Sequence, residues 1–304
     1  MQFTKYHGSG NDFILVDNRN QQWEEFLATF SLQEIVTTNL PQNNKTYAKE
    51  NQVVFELCHR NFGIGADGLM LLQASDLAHF EMIYFNSDGH LSTMCGNGGR
   101  CIAHFAATLG ISNRINQAKH ALTFIAPDGQ HSALVDLNEQ WVELSMQSVN
   151  TITKSELSSN AWVLHTGSPH YVEFSTKPNP NEGESFLPWA KSIRYSNTYA
   201  AQGINVNWVD IVNEETIAIR TYERGVENET FSCGTGVTAA AIAFGYTNLP
   251  RITMVNKSSD SMKQRIQVET KGGILHVTFE VDENNHFTNV VLAGPSKPVF
   301  VGTL

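Results

Sequence analysis

Short apolar runs of roughly four to eight residues, rich in Val, Ile, Phe and Tyr and bounded by Gly, Pro, Asn or Asp, recur along the chain, and each predicts a strand. The opening FTKYHGSGNDFILVDN predicts a strand, a tight glycine loop at Gly8–Gly10 and a second strand through Phe13–Val16. Leu69–Leu72 and Phe80–Phe85 follow, the latter ending in the turn Asn86-Ser87-Asp88-Gly89. Ala121–Ala126, His131–Leu137 and Trp141–Met146 predict a meander with turns at Asp128-Gly129 and Asn138-Glu139. Strands are also predicted over Trp162–Leu164, Tyr171–Phe174, Val206–Val212 and Thr216–Tyr222. A second meander is predicted over Arg251–Val255, Gln264–Thr270, Ile274–Val281 and Val290–Leu292. Helical spacing is rarer: Phe26, Leu27, Phe30 and Ile35 suit a helix from Trp23 to Val36, Val53–Arg60 suits another, and a short one is expected near Trp189. Thr37–Gln52 is polar, holds Pro41 and has no periodicity, which predicts a surface insertion. Ser175–Glu184, with Pro178 and Pro180, predicts a loop.

Two runs break this pattern. Residues 101–109 (CIAHFAATL) and 237–244 (VTAAAIAF) have almost no polar face, and a helix apolar on nearly all sides is buried on nearly all sides. Each follows the same opening, C-G-x-G: Cys95-Gly96-Asn97-Gly98 and Cys233-Gly234-Thr235-Gly236. A helix start presents free N–H groups and partial positive charge, which bind anions and favour the thiolate of a cysteine placed there. The expected architecture is α+β, with two pseudo-symmetric lobes, each a curled, mainly antiparallel sheet around one central apolar helix. The lobes are expected over residues 1–128 plus 295–304, carrying Cys95, and 129–294, carrying Cys233, with the two thiols face to face between them.

Composition narrows the partners. With 20 Lys+Arg against 30 Asp+Glu and no basic stripe, neither nucleic acid nor an anionic membrane is the expected partner. No apolar run approaches the roughly 20 residues that span a bilayer, and MQFTKYHGSGND has neither the charged nor the apolar region of a signal peptide, so a cytoplasmic location is expected. Four cysteines are too few for a disulfide scaffold, and a reducing compartment leaves them as thiols.

Gly63–Gly68 (GIGADG) matches the dinucleotide fingerprint, but that fingerprint needs a strand before it and a helix after it; here the order is reversed, and a structural turn is the better reading. No C-x-x-C occurs and no metal site is expected. Cys58 and Cys101 read as small buried hydrophobes, and His59, His104 and His276 as structural residues. His170, in the loop-like TGSPH, is the histidine placed to tune a pKa. Glu223 and Arg224, in YERG ahead of the second cysteine, suit either a surface pair or the site. Two thiols on opposite faces of a carbon acid, one ionised and one protonated, can remove a proton from one side and return one to the other, inverting a stereocentre without any cofactor. Helix N-termini aimed at the neighbouring carboxylate would stabilise the carbanion.

HGSGNDF, GADG, FNSDG, MCGNGGR, GSPH, GINV, YERG and SCGTG occur in that order from residue 7 to 236. In this the chain resembles the diaminopimelate epimerase family, in the cofactor-independent, two-base group of amino-acid racemases. The resemblance implies that Cys95 and Cys233 are the acid/base pair and that Gly96 with Asn97, and Gly234 with Thr235, bind the reacting carboxylate. It implies that Asn11, Asn86, Ser168, Asn205, Glu223 and Arg224 hold the substrate, several of them at its distal end, and that His170 and Glu223 adjust the thiols. It further implies a small-molecule amino-acid substrate, a homodimer, no cofactor, and a place in lysine and peptidoglycan precursor synthesis. Ser168 stands where many members have Asn, Gly68 where some have a substrate-facing Gln, and the Thr37–Gln52 insertion is longer than usual. Rival readings are a racemase of the proline, hydroxyproline or histidine type, and a non-catalytic binding or dithiol protein of the same fold. Asn97 speaks against the proline type, which often has His beside its first Cys-Gly, and Arg224 speaks for a substrate with a charged far end.

Overall fold

Strands β1 (Gln2–Gly8) and β2 (Asn11–Asp17) form an antiparallel hairpin closed by Ser9 and Gly10, whose φ angles of 55° and 86° lie in the left-handed region. In the computed structural model, residues 1–31, 48–175, 186–255 and 262–304 are described, with backbone alone for 249–255 and 262. They form two units, 1–142 with 295–304, and 143–294.

In the first unit β2 pairs in parallel with β3 (Gly68–Gln73), and β3 antiparallel with β4 (Phe80–Asn86). Both runs are unbroken apolar because both faces are covered. Ile14, Val16, Leu69 and Leu71 pack with Trp23, Phe26, Val53 and Leu57 from α1 (Gln22–Thr29) and α2 (Lys49–Cys58). On the other face lies α3 (Gly96–Thr108), buried from Gly96 to Ala107 and packed against β1, β2, β3, β6 (Lys119–Ala126) and β7 (Gly129–Asp136). The short β5 (Asn113–Arg114) and β7 pair antiparallel with β6, whose contact with β4 is parallel. The 128/129 boundary expected from the sequence falls inside the β6–β7 hairpin, and residues 129–142 belong to the first unit.

The chain continues through β8 (Trp141–Ser145) to a different partner from the one a meander implies. Met146 N–H donates to the Val290 carbonyl at 2.8 Å, and Val149 and Phe287 exchange backbone bonds at 2.9 Å. In the second unit β9 (Ile152–Lys154), β10 (Ala161–His165) and β11 (Pro169–Phe174) are antiparallel neighbours. β11 runs parallel to β12 (Asn205–Ile211), and β12 antiparallel to β13 (Thr216–Glu223). β13 takes β14 (Asn228–Thr230) antiparallel and β15 (Met262–Thr270) in parallel; β15, β16 (Gly273–Val281) and β17 (Phe287–Pro295) are antiparallel. One face of this sheet is covered by α4 (Phe186–Arg194) through Phe186, Ala190 and Ile193. The other curls around α5 (Gly234–Val255), which packs against β10 to β13, β15 and β16 and is buried from Gly234 to Gly245. Finally β18 (Lys297–Thr303) returns to pair with β1 in the first unit. The α+β class and the plan of a mainly antiparallel sheet around an apolar helix, repeated in each unit, follow the expectation.

Three elements differ from the sequence reading. Arg251–Val255 is the last turn of α5, not a strand, because a five-residue apolar run has too few periods to separate the two. α1 stops at Thr29, where Phe30 turns extended (φ −69°, ψ 130°); residues 32–36 of the expected helix and 37–47 of the expected insertion lie outside the described residues, as do 176–184 of the Ser175–Glu184 loop. Lys49–Gln52 belong to α2 rather than to the insertion, its start tied by the Asn51 Oδ1, which accepts from the Ala48 N–H at 3.1 Å. Among the described residues no helix is long and apolar enough to cross a membrane.

Candidate active site

Cys95 is the N-cap of α3, with extended backbone (φ −115°, ψ 119°), and its carbonyl accepts the first intrahelical bond from Gly99 at 2.7 Å. The N–H groups of Gly96, Asn97 and Gly98 therefore lie ahead of the helix's own hydrogen-bond ladder. A Cβ on Gly98 would meet the tip of the Met70 side chain, so the helix start lies directly on β3. The Cys95 thiol reaches the Asn11 Oδ1 at 3.6 Å. That oxygen faces the thiol because the other end of the amide is held by Asp67, whose Oδ2 accepts from Asn11 Nδ2 at 2.5 Å and from the Asp12 N–H at 3.1 Å. Arg60 clamps both carboxylates, at 2.9 Å to Asp12 and 2.6 Å to Asp67. Partial burial would raise the Asp12 carboxyl, but Arg60 and Lys5 hold it at about 2. Asn86, exposed at the end of β4, bonds through its backbone to His90 and Gly89 and makes no hydrogen bond to this group among the described residues.

The second group is built on three strands and the start of α5. Cys233 is buried, its carbonyl accepts from Val237 at 2.8 Å, and its sulfur lies 3.4 Å from the Thr235 hydroxyl. The parallel register of β11 and β12 puts His170 beside Asn205. His170 Nε2 lies 2.9 Å from both the Ser168 and Thr235 hydroxyls, and Nδ1 lies 3.1 Å from Asn207 Nδ2. Asn207 accepts the Thr221 hydroxyl on Oδ1 at 3.0 Å and donates to the Tyr171 carbonyl at 2.8 Å, which identifies its nitrogen end. Nδ1 of His170 must then accept, and the ring proton sits on Nε2, facing the hydroxyls that lead to Cys233. Burial, reinforced by the neighbouring His165 and Arg224 side chains, pushes His170 down to about 3. It is a neutral ring at pH 7, and the Thr235 hydroxyl lies between it and the Cys233 sulfur.

Asn205 closes the group, donating to the Ser168 hydroxyl and the Pro169 carbonyl, both at 3.1 Å, while its Oδ1 accepts the Arg224 N–H at 2.8 Å. Arg224 itself is exposed and donates to the Gln202 carbonyl at 3.0 Å; Glu223, half-buried at the end of β13, accepts the Glu227 N–H on its carbonyl at 2.8 Å. Ser168, expected at the far end of a substrate, is thus bonded into the group around Cys233. A Cβ on Gly236 would lie 2.6 Å from Asn207 Oδ1, so the second glycine of this motif also seats its helix on the sheet.

Burial pushes Cys58 and Cys101 up to about 12, and both remain thiols. GIGADG is a turn: Gly63, Ile64, Gly65 and Ala66 N–H groups all bond back to carbonyls between Leu57 and His59.

The sequence profile of diaminopimelate epimerase matches residues 3–151 and 163–299. The chain belongs to the diaminopimelate epimerase family. Among its relatives, the diaminopimelate epimerase of Flavobacterium psychrophilum is 40% identical, with 100% of each chain covered. That of Chlorobaculum tepidum is 34% identical, covering 98% of both chains, and that of Aquifex aeolicus 33%, covering 100% of this chain and 98% of the relative. The fold is shared more widely. A probable proline racemase from Agrobacterium radiobacter K84 aligns with a TM-score of 0.62 at 14% identity, over 100% of this chain and 92% of that one. A PhzF-family phenazine biosynthesis protein of Bacillus anthracis aligns with 0.60 at 14%, over 100% and 98%.

Within this diaminopimelate epimerase family member, Asp67, bonded to Asn11, and Arg100, bonded to Asn97, belong to the Cys95 group, and Asn207, bonded to His170, to the Cys233 group, although the sequence did not single them out. Asn207 had a signal: it shares a strand face with Asn205, two polar residues pointing inward where a core strand is expected to be apolar. Asp67 lay inside a motif already explained as a turn. Gly68, beside it, has no room for a side chain, since a Cβ would lie 2.5 Å from the Phe85 carbonyl and 2.6 Å from the Tyr84 ring.

Proposed function

We propose that the chain interconverts LL- and meso-2,6-diaminopimelate by two-base proton transfer, with Cys95 and Cys233 as the bases. The observation that carries this reading is that each unit starts its buried helix with a cysteine at the cap, followed by N–H groups unbonded within the helix. Inversion needs a thiolate on one face of the α-carbon and a thiol on the other. The thiolate takes the α-proton and becomes a thiol; the electron pair left behind spreads into the carboxylate; the second thiol gives its proton to the opposite face and is left ionised. The N–H groups of Gly96 and Asn97, and of Gly234 and Thr235, receive the carboxylate as that charge develops. Asn11, Asn86, Ser168, Asn205, Glu223 and Arg224 are assigned to the rest of the substrate, with Arg224 supplying the cation for the distal carboxylate. His170 and Glu223 are assigned to adjusting the thiols, His170 through the Thr235 hydroxyl. Reduced thiols suit a cytoplasmic enzyme of lysine and peptidoglycan precursor synthesis. Exposed Val299, Phe300 and Val301 on β18 suit burial between two copies in a homodimer, which sedimentation tests.

Incubation of the reduced protein with LL-diaminopimelate in deuterated water tests the reaction: the meso product should carry deuterium at the inverted carbon. Cys95→Ala and Cys233→Ala should each abolish product, while Cys58→Ala should keep most activity. Absence of both exchange and product from the reduced protein would refute the proposal.

A further inference from the structure

Arg100 is a buried cation without a carboxylate. It lies on α3, five residues after Cys95, with none of its surface exposed. Its contacts are all neutral: Nη1 donates to the Gly96 carbonyl at 3.3 Å, and Nη2 to the Ser9 hydroxyl at 3.2 Å and to Asn97 Oδ1 at 3.0 Å. Nε has no hydrogen-bond partner. The ion pairs of this unit join Lys5, Arg19, Arg60 and His residues to Asp12, Asp17, Asp67, Asp88 and Asp128, and among the described residues none includes Arg100. Buried charges are ordinarily paired, because an uncompensated one is among the costliest features a core can hold.

The arrangement is tight and local to the first turn of α3. A Cβ on Gly8 would come within 3.0 Å of the Asn97 carbonyl, 3.2 Å of Cys101 Sγ and 3.4 Å of Arg100 Nη2, so the guanidinium is boxed in against the residues that follow Cys95. Burial lowers Arg100 to about 10, which still leaves it charged at pH 7, and the sulfurs of Cys101 and Cys95 act against that lowering. The other titratable groups on α3 and on the strands packed against it are already accounted for. Lys5 and Asp12 pair with each other at 2.8 Å. Cys101 and Tyr6, pushed up to about 12 by burial, keep their protons, while burial holds His104 down at about 4 and lowers His7. His120 bonds Ser112 and His131 bonds Asp128, both at 2.9 Å; Lys119 is exposed, and Asp136 accepts the N–H groups of Asn138 and Glu139. What lacks a negative partner is Arg100, and the one neighbouring group whose proposed chemistry calls for a negative charge is Cys95.

We infer that Arg100 is a positioning residue whose guanidinium is the buried counter-charge of the Cys95 thiolate, favouring ionised Cys95 through the first turn of α3 while its three neutral contacts hold that turn in place. The inference rests on Cys95 being one of the two bases. The guanidinium has no exposed surface, so its action on the reaction is electrostatic and reaches the α-carbon only through the sulfur.

Iodoacetamide alkylation of the full chain as a function of pH, read separately at each cysteine by peptide mass spectrometry, tests it without substrate. In the wild-type protein the Cys95 midpoint should lie below the reference thiol value of roughly 8.5. Arg100→Met should raise that midpoint by about one pH unit or more, a tenfold loss of thiolate at fixed lower pH, with Cys233 unmoved and Cys58 and Cys101 still protected. Arg100→Lys should restore most of the shift, because a purely structural role of the guanidinium fork would not be rescued by an ammonium. A wild-type Cys95 midpoint at or above the reference overturns the inference even if Arg100→Met does not fold. An unshifted Cys95, or equal shifts at Cys95 and Cys233, in a folded Arg100→Met protein also overturns it. Because alkylation needs no turnover, failure of the epimerase reaction in deuterated water would be seen separately from failure of this pairing.

Discussion

Asn207→Asp exchanges one amide nitrogen for oxygen in a fully buried side chain and leaves its size unchanged. The oxygen that accepts from Thr221 is kept, but the position 3.1 Å from His170 Nδ1 and 2.8 Å from the Tyr171 carbonyl becomes an acceptor facing two acceptors. His170 can relieve this only by carrying a proton on Nδ1. Taking the charge centres as about 4 Å apart and an effective dielectric of ~20, the new carboxylate favours the protonated ring by ~4 kcal/mol, or about three pH units. His170 should therefore move from about 3 to ~6. The assay is an NMR titration of the His170 ring. In the wild-type protein the ring should stay neutral, with the proton on Nε2, throughout pH 5 to 8; in the variant it should titrate near 6, or hold its proton on Nδ1 when neutral. The neutral Nδ1–H ring turns the Nε2 end toward Thr235 from a donor into an acceptor, whereas the protonated ring keeps that donor and adds a charge, so under either outcome the alkylation profile of Cys233 should change and that of Cys95 should not. A folded variant whose His170 stays neutral with its proton on Nε2 down to pH 5 would refute both the orientation of Asn207 and the assignment of charge around Cys233.

The same linkage predicts acid sensitivity of the wild-type fold. His170 at about 3 and His104 at about 4 stay unprotonated in the folded chain while the unfolded imidazoles bind protons below 6.5, so their contribution is fully present above 6.5 and is lost as pH falls toward 4. The urea midpoint should fall through that window, with a slope approaching ~2.7 kcal/mol per pH unit if both titrate independently. Gly68→Gln should not recreate a substrate contact: with the Phe85 carbonyl 2.5 Å from the added Cβ, it should cost at least ~3 kcal/mol in chemical denaturation or prevent folding. Thr235→Val removes the hydroxyl shared by Cys233, His170 and Ser168, and should lower kcat about tenfold, shifting the Cys233 alkylation midpoint but not that of Cys95.

The helix that opens with MCGNGGR and the one that opens with SCGTG were legible because their information is local. A cap residue followed by glycines and an apolar run describes a buried helix start wherever it occurs, and two of them in one chain single out the candidate thiols. The strands from Phe13 to Val16 and from Leu69 to Leu72 were legible for the same reason, since sheets covered on both faces are apolar at every position. Third-strand pairing was not legible. Trp141–Met146 follows its predecessor closely enough to read as a meander, yet its continuation bonds near Phe287–Val290, a choice made by backbone bonds across more than a hundred residues. Nor was the end of α5, where a five-residue apolar run fits either period.

What the chain's own order of residues determined, then, is where the candidate groups lie: two thiols at helix starts, with Asn11, Ser168, His170, Asn205, Glu223 and Arg224 in recognisable motifs. What only the tertiary structure decided is their electrical state. His170 reads in sequence as a residue able to carry charge near neutrality, but burial keeps it neutral and an amide on the neighbouring strand sets which ring nitrogen carries the proton. Arg100 reads as an ordinary polar residue inside a helix, but packing removes it from water and from every carboxylate of its ion-pair networks. A protonation state depends on the groups within a few ångströms and on the water they exclude, and those neighbours come, in the first unit, from the β1–β2 hairpin and, in the second, from β11, β12 and β13, elements that only the folding of each unit brings together.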